Sequence, residues 1–285
     1  MSCSGFGGST RATLRAGWAA SLGLGGLGFV ALMAVTPAGT TAAPLAMHPN
    51  HFASRPSAST SAVGWASSNW SGYAIARSTY TAITGNWKVP AAQASATATY
   101  SAAWAGIDGF NNSSLIQTGT EQDYYNGAAH YVAWWTTSAQ NFAEQPITNS
   151  PVRPGDSMSA TITKDPSTSL WTITLSDSTA SPPWTFTKTL AYTGPGASAE
   201  WIMEAPTVGG RVATLAHYAS PATFDGTVNG LSPGLVASDG GELVAGSRRH
   251  THVVSIPSGP DSEIVGGADG FNISYGSIAP PPPAS

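Results

Sequence analysis

Between Trp65 and Ile278 the chain is a succession of short runs in which apolar and polar residues alternate. "LWTITLSD" sets Leu170 and Thr172 on one side and Trp171, Ile173 and Leu175 on the other, and "WTFTKTL" alternates Trp184, Phe186, Lys188 and Leu190 with threonines. "YTAITGNWKVP", "ATATYSAAWAGI", "DSMSATIT", "RVATLAHY" and "THVVSI" have the same period of two, the mark of a strand with one buried face. The signals "TGN", "DGFNN", "YNG", "RPGD", "DPST", "SPPW", "DGT" and "SDGG" predict turns between them. Glycine, proline and β-branched residues interrupt every window long enough for an amphipathic helix. The pattern predicts an all-β fold over residues 65–278, two antiparallel sheets stacked as a β-sandwich. No blade repeat supports a propeller, and the missing helical crossovers exclude a parallel α/β sheet.

The ends read differently. Arg11 and Arg15 precede an apolar run from Trp18 to Val35, followed by the small residues of "TPAGTTAAP". This order predicts a secretory signal peptide over residues 1–42. The alternative is a membrane anchor, for which the run is at the lower length limit and rich in glycine. Residues 43–64 contain "PLAMHPNHFASRPSASTSAVG", without periodicity, and read as a disordered leader or short propeptide. The Pro-rich tail, 279–285, cannot continue a sheet and is expected to fray.

Composition narrows the function. Only 9% of the 285 residues are charged, and polar surface must come from Ser, Thr, Asn and Gln. A surface with few carboxylates loses little when they protonate, which suits acid. The excess of 15 acidic over 11 basic residues and the lack of a basic cluster beyond Arg248–Arg249 exclude a phosphate-tracking, nucleic-acid-binding surface. Cys3 is the only cysteine, so no intramolecular disulfide or thiolate metal site can form. His250 and His252 have the spacing of a metal pair on a strand but lack a third ligand, so no metal or other cofactor is expected.

In so uncharged a chain, "SAEWIME" (198–204) puts two carboxylates in an apolar run. On a strand Glu200, Ile202 and Glu204 share one face, and Trp201 and Met203 the other. From the residues alone that face is a cleft, a solvated surface or a buried polar cluster. Trp70, Trp87, Trp134, Trp171 and Trp184 are assigned to the sandwich core by default. The chain offers no cysteine nucleophile and no HExxH metal motif.

Three stretches, "SSNWSGYA" (67–74), "YSAAWAGIDGFNNSSLIQTGTEQDYYNGAAHYVAWW" (100–135) and "SAEWIMEAP" (198–206), together resemble the glutamic peptidases, the eqolisin family of acid endopeptidases. The order of the motifs matches as well. The resemblance implies a jelly-roll sandwich shaped like lectins and glucanases, with a glutamine–glutamate dyad on its concave face. The family's catalytic glutamine falls on Gln117 and its catalytic glutamate on Glu200. Trp104 and Asp108 fall where the family lines and orders its cleft. Glu121, where members often carry aspartate, and Glu204 are expected beside the dyad. Fungal members tend to have an acid where this chain has Thr136, and they carry disulfides; these departures look like a bacterial-type branch.

The resemblance thus implies a secreted, monomeric endopeptidase acting on polypeptides, with no nucleic-acid partner and no stable membrane association after processing. Two rivals keep the same fold. A glycoside hydrolase needs two carboxylates about 5–5.5 Å apart for retention or roughly 6.5–9.5 Å for inversion, whereas Glu200 and Glu204 have Cα atoms about 13 Å apart along a strand. A lectin-like sugar-binding domain would keep the aromatics without requiring Gln117 or Glu200.

Overall fold

Trp171, Ile173 and Leu175 are buried and the threonines between them half-buried, as a period of two requires. They belong to a computed structural model that describes residues 49–53, 56–59, 63–219, 221–244, 252–254, 270–276 and 278–283. The signal-peptide stretch 1–42 and His250 lie outside the described residues, as does the side chain of His252.

In chain order the strands begin with β1 (Ser57–Ala58), β2 (Trp65–Ser67), β3 (Trp70–Ile75), β4 (Ala82–Lys88), β5 (Ala102–Ile107) and β6 (Ile116–Tyr125). They continue with β7 (Ala128–Thr137), β8 (Gln145–Pro146), β9 (Ser157–Lys164), β10 (Trp171–Asp177), β11 (Trp184–Leu190) and β12 (Ala199–Glu204). The last are β13 (Thr207–Val208), β14 (Arg211–Val212), β15 (Ala222–Val228), β16 (Gly240–Leu243), β17 (His252–Val254) and β18 (Phe271–Tyr275). Among the described residues the only helical pieces are two 3₁₀ turns, and no helix is long and apolar enough to cross a membrane.

The strands form a nine-stranded sheet in the order β1-β2-β16-β3-β12-β5-β6-β7-β8 and a seven-stranded sheet in the order β11-β10-β9-β4-β15-β18-β17, and β13 and β14 pair with each other as a separate small ribbon. Every pairing in them is antiparallel except β2 with β16. The fold is the expected all-β, two-sheet antiparallel sandwich.

The main core lies between the sheets. Tyr73, Ile75, Ala105, Ile107, Trp201 and Met203 of the larger sheet meet Ile83, Trp87, Ile162, Ile173, Phe224 and Phe271 of the smaller. Trp201 is the key of this interface. Gly85 and Gly226 are directly paired, and a Cβ on Gly226 would stand 2.4 Å from the Trp201 indole nitrogen. The two glycines form a recess for that ring, whose Nε1 donates to the Thr84 carbonyl at 2.8 Å. For this reason "TGN" and "DGT", expected as turns, run through the middle of strands β4 and β15: their glycines make room across the sandwich instead of bending the chain.

Other expectations also change. "RVATLAHY" is only the short β14 followed by isolated bridges at Leu215 and Tyr218. In the described part of the Pro-rich tail, Pro281 accepts a hydrogen bond from the Asn272 side chain at 2.8 Å, since a proline keeps its carbonyl. Of the tryptophans assigned to the core, Trp87 and Trp171 are there. Trp184 packs half-buried against that core from β11, the end strand of its sheet among the described residues. Trp70 and Trp134 join a second apolar cluster with Trp65, Trp104, Leu115 and Ile202 on the opposite face of the larger sheet.

Candidate active site

That second face is built from three rows of directly paired residues, each crossing strands β3, β12, β5, β6 and β7. The first row is Ala74, Glu200, Gly106, Gln117 and Thr136. The second is Gly72, Ile202, Trp104, Gly119 and Trp134, and the third is Trp70, Glu204, Ala102, Glu121 and Val132. Directly opposed residues in antiparallel strands point to the same side. Gln117, Glu200, Glu121, Glu204 and Trp104, spread over 100 positions of sequence, therefore share one face. Gln117 and Glu200 flank Gly106, which puts no side chain between them.

Glu200 is fully buried, and no well-aligned hydrogen bond reaches its carboxylate oxygens among the described residues, the nearby Ser198 hydroxyl included. Burial pushes its carboxyl well above the usual carboxylate range; the Ser198 hydroxyl opposes this and the Asp108 charge adds to it. Of the three readings open for this face, solvated surface is excluded. Asp108 sits just past β5 in the left-handed region, φ 68°, where Asp is tolerated better than most residues. Its carboxylate accepts from the Tyr192 hydroxyl at 2.8 Å, from the Gly196 and Ala197 backbone amides at 2.9 and 2.7 Å, and from Asn112 at 2.9 Å. Asp108 thereby pins the segment that leads into β12 and sets where Glu200 emerges.

The third row opens on an acidic cluster. Glu204 accepts from the Trp104 indole at 2.9 Å, and Trp104 is itself fully buried and edge-on to Trp70. Trp104, expected to line the cleft, lies in the middle row of this face and holds Glu204. Glu121 is buried beside Asp123 and Glu144; burial first, then the charges of these neighbours, raise its pKa well above the ordinary value. Burial lifts Glu144 to about 8 and Asp123 to about 7. Thr136, next to Gln117, uses its hydroxyl on the Ala143 carbonyl at 2.7 Å, so the neighbour of Gln117 is neutral.

Across this face lies the segment Pro49–Ala53. The Asn50 amide and carbonyl pair with Thr207, both at 2.9 Å; the Glu144 amide donates to the Pro49 carbonyl, and the His51 amide to the Phe142 carbonyl. The Gln117 amide nitrogen donates to the backbone carbonyl of His51 at 3.0 Å. The His51 ring lies flat on Trp134, centroids 3.7 Å apart and planes 2° from parallel. Its Nδ1 is 3.2 Å from Glu204, and its Nε2 is 3.1 Å from Glu121, an ion-pair contact without hydrogen-bond alignment. Phe52 follows against Phe142, and both line an open groove of about 620 Å³ with Phe110 and Asn112.

His51, Trp134 and Glu144 were not singled out in the sequence as site residues. The segment carrying His51 has no periodicity, and its partners Gln117 and Glu204 lie 66 and 153 positions away. The donor atoms of His51, Glu121 and Glu144 all lie within 4.8 Å of one another, a set that could hold a divalent ion.

Comparison with known proteins bears on this geometry. No curated protein matches the chain in sequence. Among solved structures, scytalido-glutamic peptidase with a transition state analog inhibitor is similar at 18% identity and a TM-score of 0.51, covering 73% of this chain and 98% of that one. The same peptidase with a peptide-based transition state analog gives 20% identity, the same TM-score and the same coverage. At such identities the likeness shows the shared fold. The Peptidase A4 family model matches residues 68–262, a span that takes in both the Gln117 and the Glu200 strands, and the chain belongs to that family.

Proposed function

We propose that the protein is a secreted acid endopeptidase in which Glu200 and Gln117 carry the chemistry. One observation supports this most: a peptide carbonyl, that of His51, already accepts a hydrogen bond from Gln117 on the row shared with Glu200. In the reaction the oxygen of water bonds to the substrate carbonyl carbon. Negative charge gathers on the carbonyl oxygen, where the Gln117 N–H meets it. The carbon–nitrogen bond then breaks and the nitrogen leaves as an amine. The Glu200 carboxylate takes a proton from the water, and its acid form returns one to the departing nitrogen. Burial, by raising the Glu200 pKa, favours the returning step in acid. Gln117 is neutral and keeps its donor while the surrounding carboxylates titrate. Asp108 and Trp104 serve as positioning residues, for the Glu200 strand and for Glu204 respectively.

Family membership supports peptidase activity, the signal-like N-terminus supports export, and the lone cysteine together with Thr136 supports a bacterial-type branch. The test compares native protein with Glu200→Gln on an unfolded protein in acid, with folding checked by near-UV circular dichroism. The variant should lose roughly two orders of magnitude or more in rate. Native rates from a folded Glu200→Gln variant would overturn the assignment.

A further inference from the structure

Away from the cleft, the chain contains two Asn-Gly pairs, each at the tip of a two-residue turn. Asn126-Gly127 joins β6 to β7 above the Tyr125–Ala128 pair, and Asn229-Gly230 follows β15 above the bridge between Val228 and Leu231. All four residues are exposed, and the backbones nearly coincide: φ is 52° and 78° in the first pair, 51° and 76° in the second. Positive φ at both central positions is the type I′ turn that Asn-Gly favours.

The side chains are held differently. Asn229 Oδ1 accepts from the Thr81 amide at 2.9 Å, the Ala82 amide at 3.1 Å and the Thr81 hydroxyl at 3.3 Å. Its Nδ2 donates to the Thr79 carbonyl at 3.1 Å, and its backbone amide to the Ala82 carbonyl at 2.9 Å. No hydrogen bond reaches the Asn126 side chain among the described residues. Below that tip the Tyr125 and His130 rings are stacked, centroids 3.8 Å apart, and His130 Nε2 lies 3.2 Å from the Tyr125 carbonyl oxygen. The turn can therefore open while the ladder beneath it stays closed.

We infer that Asn126 is a self-modifying site, converted to aspartate and isoaspartate by the Gly127 backbone nitrogen and water, and that Asn229 is protected by its tethers. The Gly127 amide gives its proton to hydroxide. Its nitrogen bonds to Asn126 Cγ, the Cγ–Nδ2 bond breaks, and Nδ2 leaves as ammonia with a proton from solvent. Water then adds to either carbonyl carbon of the five-membered imide and breaks that carbon's bond to nitrogen. Opening on the side-chain side gives aspartate; opening on the main-chain side gives isoaspartate, with an extra methylene in the backbone. The balance is a water consumed and an ammonia released, with no change of oxidation state. Glycine leaves the attacking nitrogen unshielded, and cyclisation requires the carboxamide to swing over it, which Asn229 achieves only by giving up its hydrogen bonds. Because the first step consumes hydroxide, mild acid preserves Asn126, and its loss records time spent at higher pH. The inference does not depend on the peptidase reading.

The experiment incubates the folded full-length chain in heavy-oxygen water, in mildly alkaline and mildly acid buffers. Both turns are then mapped by mass spectrometry after digestion in acid, and isoaspartate is scored with an isoaspartyl methyltransferase. In the alkaline buffer Asn126 should take up solvent oxygen and yield both products at least about tenfold faster than Asn229. In the acid buffer conversion at Asn126 should slow in proportion to hydroxide. In concentrated urea the tethers are gone and the two rates should converge, which shows that the fold and not the dipeptide sets the difference. A Glu200→Gln chain should behave identically, because no step uses that residue. Equal rates at the two turns of the folded chain, or an Asn126 that survives while the unfolded chain is fully converted, overturns the assignment. Conversion that is faster in acid, that yields aspartate alone, or that requires Glu200 overturns the imide route.

Discussion

Replacing Gln117 by alanine removes the N–H that now meets the His51 carbonyl at 3.0 Å in a fully buried setting. Between neutral partners such a bond is worth about 1 kcal/mol. An N–H facing a developing oxyanion is worth about 3 kcal/mol. The first part is lost on binding and the remaining ~2 kcal/mol only in the transition state, so kcat should fall roughly 30-fold and kcat/KM more than 100-fold. Gln117→Glu is nearly isosteric and differs mainly in charge. Its new carboxyl lies on the Glu200 row, so burial and the like-charged neighbour raise its pKa, and the two groups titrate together. Only the protonated form donates, so residual activity is present below that pKa and lost as pH rises through it. The profile should therefore shift to lower pH than that of the native protein. The assay is kcat against pH on one peptide for the native protein and both variants, with thermal unfolding as the control for folding. A folded Gln117→Ala that keeps more than half the native turnover, or a Gln117→Glu profile superimposable on the native one, refutes the role of the amide.

Stability should also follow pH. Glu144 and Asp123, at about 8 and 7 in the fold, and the raised Glu121 and Glu200 all exceed their unfolded values near 4. The fold thus binds extra protons; their stabilisation is full below about pH 4 and is lost as pH rises through each folded pKa, for Asp123 about 7 and for Glu144 about 8. Calorimetry should show Tm falling across this window, and a rising Tm would contradict the burial of these acids. Gly106→Ala would put a Cβ 2.9 Å from the Trp104 ring, 3.0 Å from the Ile116 carbonyl oxygen and 3.1 Å from Gln117 Cβ. It should cost about 1–3 kcal/mol in unfolding free energy, with at least a tenfold loss of turnover, both measurable on one preparation. Dialysis against a chelator should leave turnover unchanged despite the His51–Glu121–Glu144 arrangement; a loss restored by a divalent metal would replace the mechanism.

The smaller sheet was legible in the sequence because one of its faces meets solvent. Thr172 and Thr174 against Trp171, Ile173 and Leu175 announce the strand and its orientation. Strands β3 and β12 are buried on both faces, so "WSGYAI" and "AEWIME" show no clean alternation; the motifs made them stand out, not the period. The same double burial moved Trp70 and Trp134 out of the core assigned to them, since an aromatic residue does not reveal which covered face it takes. The acids of the site could be named because carboxylates are scarce and two of them interrupt an apolar run. His51 could not, because its environment is assembled from residues far away in sequence, and a backbone pairing such as Asn50 with Thr207 leaves no trace in residue type.

The register that sets Glu200, Gly106 and Gln117 in one row acts as a gauge. Neighbouring strands are about 4.8 Å apart, so the roots of the two side chains are held roughly 10 Å apart by backbone hydrogen bonds alone. That spacing is a constant of the sheet, indifferent to the length or composition of the loops that join these strands. Insertions at the turn between β6 and β7 can accumulate without altering it. A slip of one residue in β6 or β12 is intolerable, because it turns Gln117 or Glu200 into the core between the sheets and brings Ile116 or Thr118, or Ala199 or Trp201, to the site in its place. The chemistry is thus calibrated by the most rigid dimension in the molecule, while the connections around it are left free to vary.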